Sequence, residues 1–153
     1  MSFDLRLALF SGEELTAAGQ VQELLACNGD TDANGLRLTP RQAQALLETR
    51  SAALRKTGRV ELGGTILRRL ILTFQDSPYL TADNYAETLC ELTDAFYHFK
   101  SETQDRLGDD TLLQYMKQSF DGPCRGSVEL LTGTALPEMA RRLRARTGGQ
   151  RHA

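Results

Sequence analysis

The residues with the clearest capacity for chemistry lie in one short stretch, SFDGPCRGS, which runs from Ser119 to Ser127. Cys124 stands there between Pro123 and Arg125, just before a helix that Ser127 is placed to cap. A neighbouring cation and a helix N-terminus both favour the thiolate, which is the nucleophilic form of cysteine. The stretch therefore suggests nucleophilic chemistry, provided that a base lies close enough to accept the proton.

The sequence offers that cysteine no nearby base. His98 is the only histidine outside the C-terminal tail, and no local pattern places it beside Cys124. The glycines and the proline are also typical of a tight turn in which a small cysteine packs inward, and this interpretation is favoured. A binding patch for a small ligand would require five residues to converge here, namely Tyr79, Tyr85, Asp121, Cys124 and Arg125.

A second stretch, NGDTDANGLRLTPRQ at residues 28–42, resembles the loop of a calcium-binding EF-hand. Asp30, Asp32 and Asn34 take the first, third and fifth ligand positions. An EF-hand loop of about 12 residues ends in a glutamate that binds Ca²⁺ through both oxygens. Arg41 stands at that position, so a cation replaces the strongest ligands. The stretch therefore predicts a connection between two helices, and calcium binding is not expected.

A third candidate is a stripe of Glu87, Glu91, Asp94 and His98 along one predicted helix. Metal sites in helical bundles take Glu-x-x-His pairs from two helices that face inward. Here one helix supplies the whole stripe, which lies opposite the apolar face. The favoured interpretation is an exposed acidic face with an Asp94–His98 pair, and no metal or other cofactor is predicted.

The elements that must position these residues are helices almost throughout, because apolar residues recur every three or four positions. One capping-box pattern starts a helix at Ser11, and this helix is predicted to bury Leu15, Ala18, Val21 and Leu25. A second capping-box pattern starts a helix at Thr39, and Gly58 is predicted to end it. Later helices are predicted over Ile66 to Phe74, from a Thr81 cap to Phe99, from an Asp109 or Asp110 cap to Phe120, and as two short helices around Val128 to Leu131 and Leu136 to Arg146.

The helix after Thr81 carries the clearest apolar pattern. Such a seam of apolar residues along one face of a helix is buried either against other helices or against a second copy of itself, and the sequence leaves both possibilities open. The pattern as a whole predicts an all-α fold, a single compact bundle of about six or seven helices over residues 1–146, followed by a basic, disordered tail at 147–153. The seam has spacings of four, three, four and three and consists of Tyr85, Leu89, Leu92, Phe96 and Phe99.

Composition narrows the classes of function. The 153 residues are 41% apolar and 25% charged, as in an ordinary soluble domain. A net charge of −2 and a pI of about 5.7 give no overall attraction to nucleic acid or to a membrane. Charge is segregated, however, into a basic segment (Arg50 to Arg69), an acidic segment (Asp83 to Asp110) and an arginine-rich C-terminus. Solvated helix faces and pairing between segments or subunits both explain this segregation.

The cysteines and the N-terminus indicate a compartment. Cys27, Cys90 and Cys124 are odd in number and far apart, which argues against a disulfide framework or a zinc cluster. The start MSFDLRLALF lacks the pattern of a signal peptide. No apolar run approaches the roughly 18 residues that a membrane span requires. The sequence therefore predicts a cytoplasmic protein with no membrane partner.

Five phrases in the chain look familiar together. They are LTPRQAQALLETR, GRVELGG, DSPYLTADNYAETLCEL, FYHFK and FDGPCRGSVELLTG, within about Leu24 to Arg141. In this order they resemble a family of small bacterial proteins, mainly from Firmicutes, that is known only as a domain of unknown function. The resemblance implies a cytosolic, chromosomally encoded bacterial protein. It brings no activity, cofactor or catalytic residue with it.

The function predicted from these observations is a non-enzymatic protein-interaction or self-assembly module, either a homo-oligomer or the binder of a protein partner. The aromatic seam, the segregated charges and the incomplete catalytic sets motivate it. One alternative is a small-ligand-binding protein or enzyme with a site around Tyr79, Tyr85 and the Asp121–Arg125 loop. A second alternative, which the composition does not favour, is a nucleic-acid-binding protein that uses the basic segments.

Overall fold

The structure is a computed structural model that describes residues 18–61 and 65–152, with side chains up to residue 146. Every regular element in these residues is helical, which confirms the all-α fold predicted from the sequence. The elements in chain order are α1 (described over residues 18–26), α2 (Asn28–Thr31), a 3₁₀ turn (Asp32–Asn34), α3 (Pro40–Thr57), α4 (Thr65–Phe74), α5 (Tyr85–Glu102), α6 (Asp109–Asp121), α7 (Val128–Leu130), a π-helical turn (Leu131–Ala135) and α8 (Leu136–His152).

Helix α5 lies at the centre of the bundle, where α3 packs along it and α4, α6 and α8 also contact it. Each residue of its aromatic seam is at most 4% exposed. Burying a large apolar side chain stabilises a fold by about 1.5–3 kcal/mol, so the seam is a main source of stability. Helices of the same chain cover it. The seam is therefore not a surface for a second copy.

The two ends of α3 are the ones that the sequence predicted. The Thr39 hydroxyl accepts the Gln42 N–H (3.1 Å) and the Gln42 side chain accepts the Thr39 N–H (2.9 Å), which completes a capping box ahead of Pro40. Gly58 ends the helix with a φ of 66°, a left-handed conformation that costs glycine little. Both ends depend on residues close in the chain, which is why the sequence predicts them correctly.

The predicted caps of α5 and α6 are wrong. The Thr81 N–H donates to the Asn84 side chain (2.8 Å), so residues 81–84 form a turn and α5 begins only at Tyr85. A side chain that bonds to nearby backbone in this way competes with helix formation. In α6 the cap residue is Gly108, and Asp109 is the first helical residue. The negative charge of Asp109 is stabilised there by the positive end of the helix dipole.

The two short C-terminal helices predicted from the sequence are one continuous helical segment. Between α7 and α8 the chain passes through the π turn, and Leu130, Leu131 and Leu136 all keep right-handed helical dihedrals. A π turn adds one residue to a helical turn and disturbs the regular hydrogen bonds. The Tyr115 hydroxyl of α6 donates to the carbonyl of Ala135, the last residue of the π turn, at 3.4 Å. The extra residue in the π turn interrupts the regular spacing of apolar residues, so the sequence pattern resembles that of two separate helices.

Both ends of the chain lie partly outside the described residues. Ser11, Glu14 and Leu15 of the predicted first helix are outside them. In the described part of α1, Leu24 is buried, and Val21 and Leu25 are partly buried; Ala18 is exposed, so its predicted burial is wrong. The side chains of the predicted tail are outside as well, so the domain boundary at residue 146 and the tail stay predictions. None of the described helices is long and apolar enough to span a membrane.

Candidate functional site

The connection between α6 and α7, residues 121–127, is a tightly bonded turn that we call the corner. After the last turn of α6 the chain folds back on that helix, so that the Cys124 N–H donates to the Ser119 carbonyl (3.0 Å) and the Gly126 N–H to the Phe120 carbonyl (2.7 Å). Such bonds satisfy carbonyls that the end of a helix leaves without partners. The tight turn favoured by the sequence is therefore present.

Tyr79 packs directly on the corner. A Cβ placed on Gly126 would stand 2.4 Å from the Cβ of Tyr79, and Gly126 also has a φ of 79°. Position 126 thus requires glycine for its backbone and for the approach of the tyrosine. The Tyr79 ring meets the Phe120 ring edge to face, with centroids 6.3 Å apart, and Tyr79 remains 36% exposed. The tyrosine is held from beneath and is open to solvent on its outer side.

Asp121 ties the corner to the turn that follows α4. Its carboxylate accepts hydrogen bonds from the Ser77 hydroxyl and from the Lys117 ammonium (2.7 Å), which also bonds to Asp76 (2.8 Å). Burial opposes the charge of Lys117, but the hydrogen bonds to Asp121 and Asp76 outweigh it and raise the pKa of the lysine. A lysine with a raised pKa stays protonated at neutral pH and is not a base. The cluster joins the ends of α4 and α6.

Cys124 lacks the properties of an activated nucleophile. It is 4% exposed, and burial raises the pKa of its thiol. The expectation that Arg125 and the following helix would favour the thiolate is therefore wrong, because the loss of solvation disfavours the charged form. The cysteine is a small packing residue of the corner.

Arg125, next to it, is exposed and has a φ of 48°, a value that is uncommon for residues other than glycine. Its N–H donates to the Gly122 carbonyl (3.1 Å), which helps to hold this conformation. Within the described part of the chain its guanidinium forms no ion pair with a carboxylate. The corner thus presents an unpaired cation on a constrained backbone.

Tyr85 does not belong to the corner. Its side chain is buried beside Cys27 and Thr31, and burial raises the pKa of its phenol to about 12. The Thr31 hydroxyl lies beside the Tyr85 hydroxyl but donates its proton to the Leu36 carbonyl (2.7 Å), and no group among the described residues is aligned to form a hydrogen bond with the Tyr85 hydroxyl. The structure therefore separates Tyr85 from the other four residues of the predicted patch, which it brings together: Tyr79, Asp121, Cys124 and Arg125.

The EF-hand-like stretch forms the connection between α1 and α3. The buried Asn28 side chain donates to the Leu38 carbonyl (2.9 Å) and accepts the Leu38 N–H (2.8 Å), which closes the connection. Asp30 lies in α2 and Asp32 in the 3₁₀ turn, where Asp32 pairs with Arg37 at 2.9 Å. Residues two apart in a helical turn do not face each other, so the two carboxylates do not converge as they do in a calcium loop.

The acidic stripe of α5 is exposed along its whole length, as predicted. Its pairing differs from the prediction, because Asp94 lies 3.6 Å from Lys56 and His98 lies 3.9 Å from Glu102. Among the side chains that the structure describes, no group of three or more His, Cys, Asp or Glu residues is arranged to hold a metal.

A buried polar cluster that sequence reasoning did not single out joins α3 to α5. The Tyr97 hydroxyl donates to the Glu61 carboxylate and lies 2.7 and 2.8 Å from its two oxygens, and Arg50 Nε donates to the same carboxylate at 3.2 Å. Burial and the neighbouring carboxylate both raise the pKa of Tyr97. Arg50 is 5% exposed and lies on the buried face of α3 with Leu46 and Leu47. A charged residue on an apolar stripe is a signal from which the cluster could have been found.

The segregated charges pair within the chain. The basic segment meets the acidic segment in three ion pairs, which bring together sequence-distant parts of the bundle, and Arg59 binds both carboxylate oxygens of Asp105. This favours pairing between segments as the explanation of the charge pattern. It also balances part of the positive charge on which the nucleic-acid alternative depends. The pairs are Lys56–Asp94, Arg59–Asp105 and Arg69–Asp110, and Arg144 of α8 meets Glu102.

Comparison with known proteins gives a family and no activity. A family model described as a family of unknown function, DUF6323, matches residues 23–149. No curated protein and no solved structure matches the chain.

Proposed function

The chain belongs to the DUF6323 family of unknown function, and we propose that it acts as a non-enzymatic module that associates with a second copy of itself. The contact surface is the outer side of the corner. The described residues include three exposed large hydrophobic side chains, and two of them belong to this region: Tyr79 packs on Gly126, and the Leu130 N–H bonds to the Ser127 hydroxyl at the end of the corner. The third, Val60, follows Arg59, which bonds to Asp105 after the C-terminal end of α5, whereas the Tyr79 carbonyl accepts a hydrogen bond from Asn84 just before the N-terminal end of that helix.

The chemistry of this surface suits a protein contact. Tyrosine and arginine are enriched among the residues that contribute most to binding energy, and a side chain held rigidly loses little entropy on association. Gly126 and Phe120 hold Tyr79 in this way. Leu130 is 48% exposed in the first turn of α7, where its N–H bonds to the Ser127 hydroxyl (3.1 Å). In the proposed contact, Tyr79 and Leu130 supply the apolar centre and Arg125 supplies a cation.

A second copy is favoured as the partner because the surface carries both signs of charge. Asp76, whose side chain is 73% exposed, is linked to the corner through Lys117 and Asp121, and Arg125 belongs to the corner itself. In a two-fold symmetric dimer, residue i of one copy contacts residue j of the other, and the reverse also holds. Arg125 can then meet the Asp76 carboxylate of the second copy on each side of the apolar centre. The buried seam of α5 takes no part in this contact.

The test compares two exposed apolar residues changed to the same charge. Sedimentation velocity from about 1 to 100 µM is expected to show the wild-type protein moving from monomer to dimer. Leu130→Glu places a carboxylate in the contact and is expected to weaken association at least about tenfold, because an unpaired charge is costly to bury. Val60→Glu makes the same change at a residue that is 92% exposed outside the corner, and is expected to associate like the wild type.

A second variant separates association from folding. Arg125→Gly relieves the positive φ and is expected to leave the monomer at least as stable while weakening the dimer. A wild-type protein that stays monomeric up to about 100 µM would refute self-association. Equal effects of Leu130→Glu and Val60→Glu would refute the corner as the contact.

A further inference from the structure

We propose that a groove between α5 and α8 binds a phosphate group, either free phosphate or the monoester of a small molecule. The groove has a volume of about 300 Å³ and lies at the C-terminal half of α5. It is separate from the corner and does not depend on the proposed self-association. Its lining comes from both helices and from the π turn, and includes His98, Glu102, Thr132, Arg141 and Arg144.

Three cationic or potentially cationic side chains converge on this groove. Arg141 and Arg144 are three residues apart on α8 and therefore lie on one face of the helix. His98 lines the groove from α5, and its ring packs edge to face on the buried Phe99 ring, with centroids 4.8 Å apart. Guanidinium groups match the oxygens of phosphate through paired N–H donors. Donors from two helices can therefore surround one oxyanion.

Glu102 shows where that oxyanion would lie. One carboxylate oxygen stands 3.5 Å from the Arg144 guanidinium and the other 3.9 Å from Nε2 of His98. Charge-assisted hydrogen bonds are normally about 2.7–2.9 Å long, so both contacts are loose. The carboxylate thus occupies the space between two donors without binding either closely. A phosphate carries more charge and offers oxygens in three directions, so it can displace Glu102 and bond to donors on both helices.

The irregular backbone beside the groove supports a role in binding. The π turn Leu131–Ala135 brings Thr132 to the groove wall and is the only such turn in the described residues. π turns interrupt helical hydrogen bonding and are frequent at functional sites. Pro137 and Ala140 add an apolar wall, which is suited to the organic part of a monoester.

The neighbouring residue on α8 provides a matched control. Arg142 does not line the groove, and it pairs with Glu138 at 2.7 Å along the surface of the helix. Arg141→Gln and Arg142→Gln therefore remove the same charge from adjacent positions. Only the first of these changes removes a donor from the groove.

The test is a titration of isotope-labelled full-length protein, followed by NMR, with inorganic phosphate and with phenyl phosphate at constant ionic strength. Saturable shifts are expected at amides of residues 98–102, 132 and 141–144, with a dissociation constant on the order of 1 mM. Arg141→Gln and Arg144→Gln are each expected to weaken binding about fivefold or more, and Arg142→Gln less than about twofold. Glu102→Gln is expected to strengthen binding about threefold, because it removes a competing negative charge.

The two probes distinguish the two sources of phosphate. Tighter binding of phenyl phosphate would indicate a monoester whose organic part uses the apolar wall, whereas equal binding would indicate free phosphate. The proposal fails if shifts do not saturate by about 20 mM, since such weak binding is typical of diffuse charge attraction. It also fails if Arg142→Gln weakens binding as much as Arg141→Gln, or if Glu102→Gln weakens it.

Discussion

Two buried tyrosines of α5 show how much a single hydrogen bond changes the role of a residue. Tyr97 and Tyr85 are 1% and 2% exposed. The Tyr97 hydroxyl bonds to the Glu61 carboxylate, whereas the Tyr85 hydroxyl has no hydrogen-bond partner among the described residues. A buried hydroxyl destabilises the fold unless it is hydrogen-bonded. Tyr97 therefore contributes through its polar end, and Tyr85 only through its ring.

Replacing each tyrosine by phenylalanine tests this difference with the same chemical change. Tyr97→Phe is expected to lower the free energy of unfolding by about 1.5–3 kcal/mol, because it removes the hydrogen bond to a charged group. Tyr85→Phe is expected to leave it unchanged or to raise it by up to about 1 kcal/mol, because it removes an unsatisfied buried hydroxyl. Urea unfolding at neutral pH measures both. Equal losses in the two variants would contradict the assignment.

The corner and the π turn depend on glycine in different ways. Gly126 lies in the corner with a positive φ and the Tyr79 side chain directly above it. Gly133 lies in the π turn, and a Cβ there would meet nothing within 4 Å. The corner therefore requires its glycine, whereas the π turn does not.

Alanine at these two glycines should change stability in opposite directions. Gly126→Ala is expected to lower the free energy of unfolding by about 2–4 kcal/mol, because it adds both backbone strain and a clash with Tyr79. Gly133→Ala is expected to raise it by about 0.5–1 kcal/mol, because alanine is the better helix former. Thermal and denaturant unfolding measure both variants. A stable Gly126→Ala protein would show that Tyr79 does not pack rigidly on the corner.

Across the bundle, charge pairs link parts of the chain that are distant in sequence. The loop after α3 is joined to the loop after α5 by Arg59 and Asp105, and Lys117 joins the end of α4 to α6 through Asp76 and Asp121. The hydrogen bond from Arg59 lowers the pKa of Asp105, and that from Lys117 lowers the pKa of Asp76. The ionisation of these carboxylates therefore makes the stability of the folded bundle depend on pH in the acid range.

The direction of that coupling follows from the lowered pKa values. The stabilisation is present above the pKa of an unfolded aspartate, about 3.9, and is lost as the pH falls through the lower pKa of the folded protein. Asp105→Asn is expected to lower the unfolding temperature at neutral pH and to flatten its decline below about pH 4. Asparagine suits this position because Asp105 has a φ of 60°.

Asp83→Asn is the control for this prediction, since it removes the charge of an exposed aspartate in the turn before α5. It is expected to change the pH profile less than Asp105→Asn. Identical profiles for wild type and Asp105→Asn would contradict a stabilising role for the Arg59 pair.

The features that depend on neighbours along the chain were predictable from the sequence. The period of apolar residues identified an all-α fold, and Thr39, Gln42 and Gly58 marked both ends of α3, because capping involves residues only three or four positions apart. Local reasoning failed where two local partners compete, as at Thr81, whose N–H bonds to Asn84, and where the π turn shifts the helical period.

Which chemically capable residues meet depends on how the helices pack. It placed Tyr79 on Gly126, buried Tyr85 elsewhere, and covered the α5 seam with helices of the same chain. It also brought His98 to the same groove as Arg141. These contacts join residues that are tens of positions apart, and they depend on how helices cross and on how well a side chain is solvated. The local sequence around a charged residue or a cysteine does not show whether its side chain is exposed or buried. Burial, and the pKa shift that burial causes, are set when the helices pack.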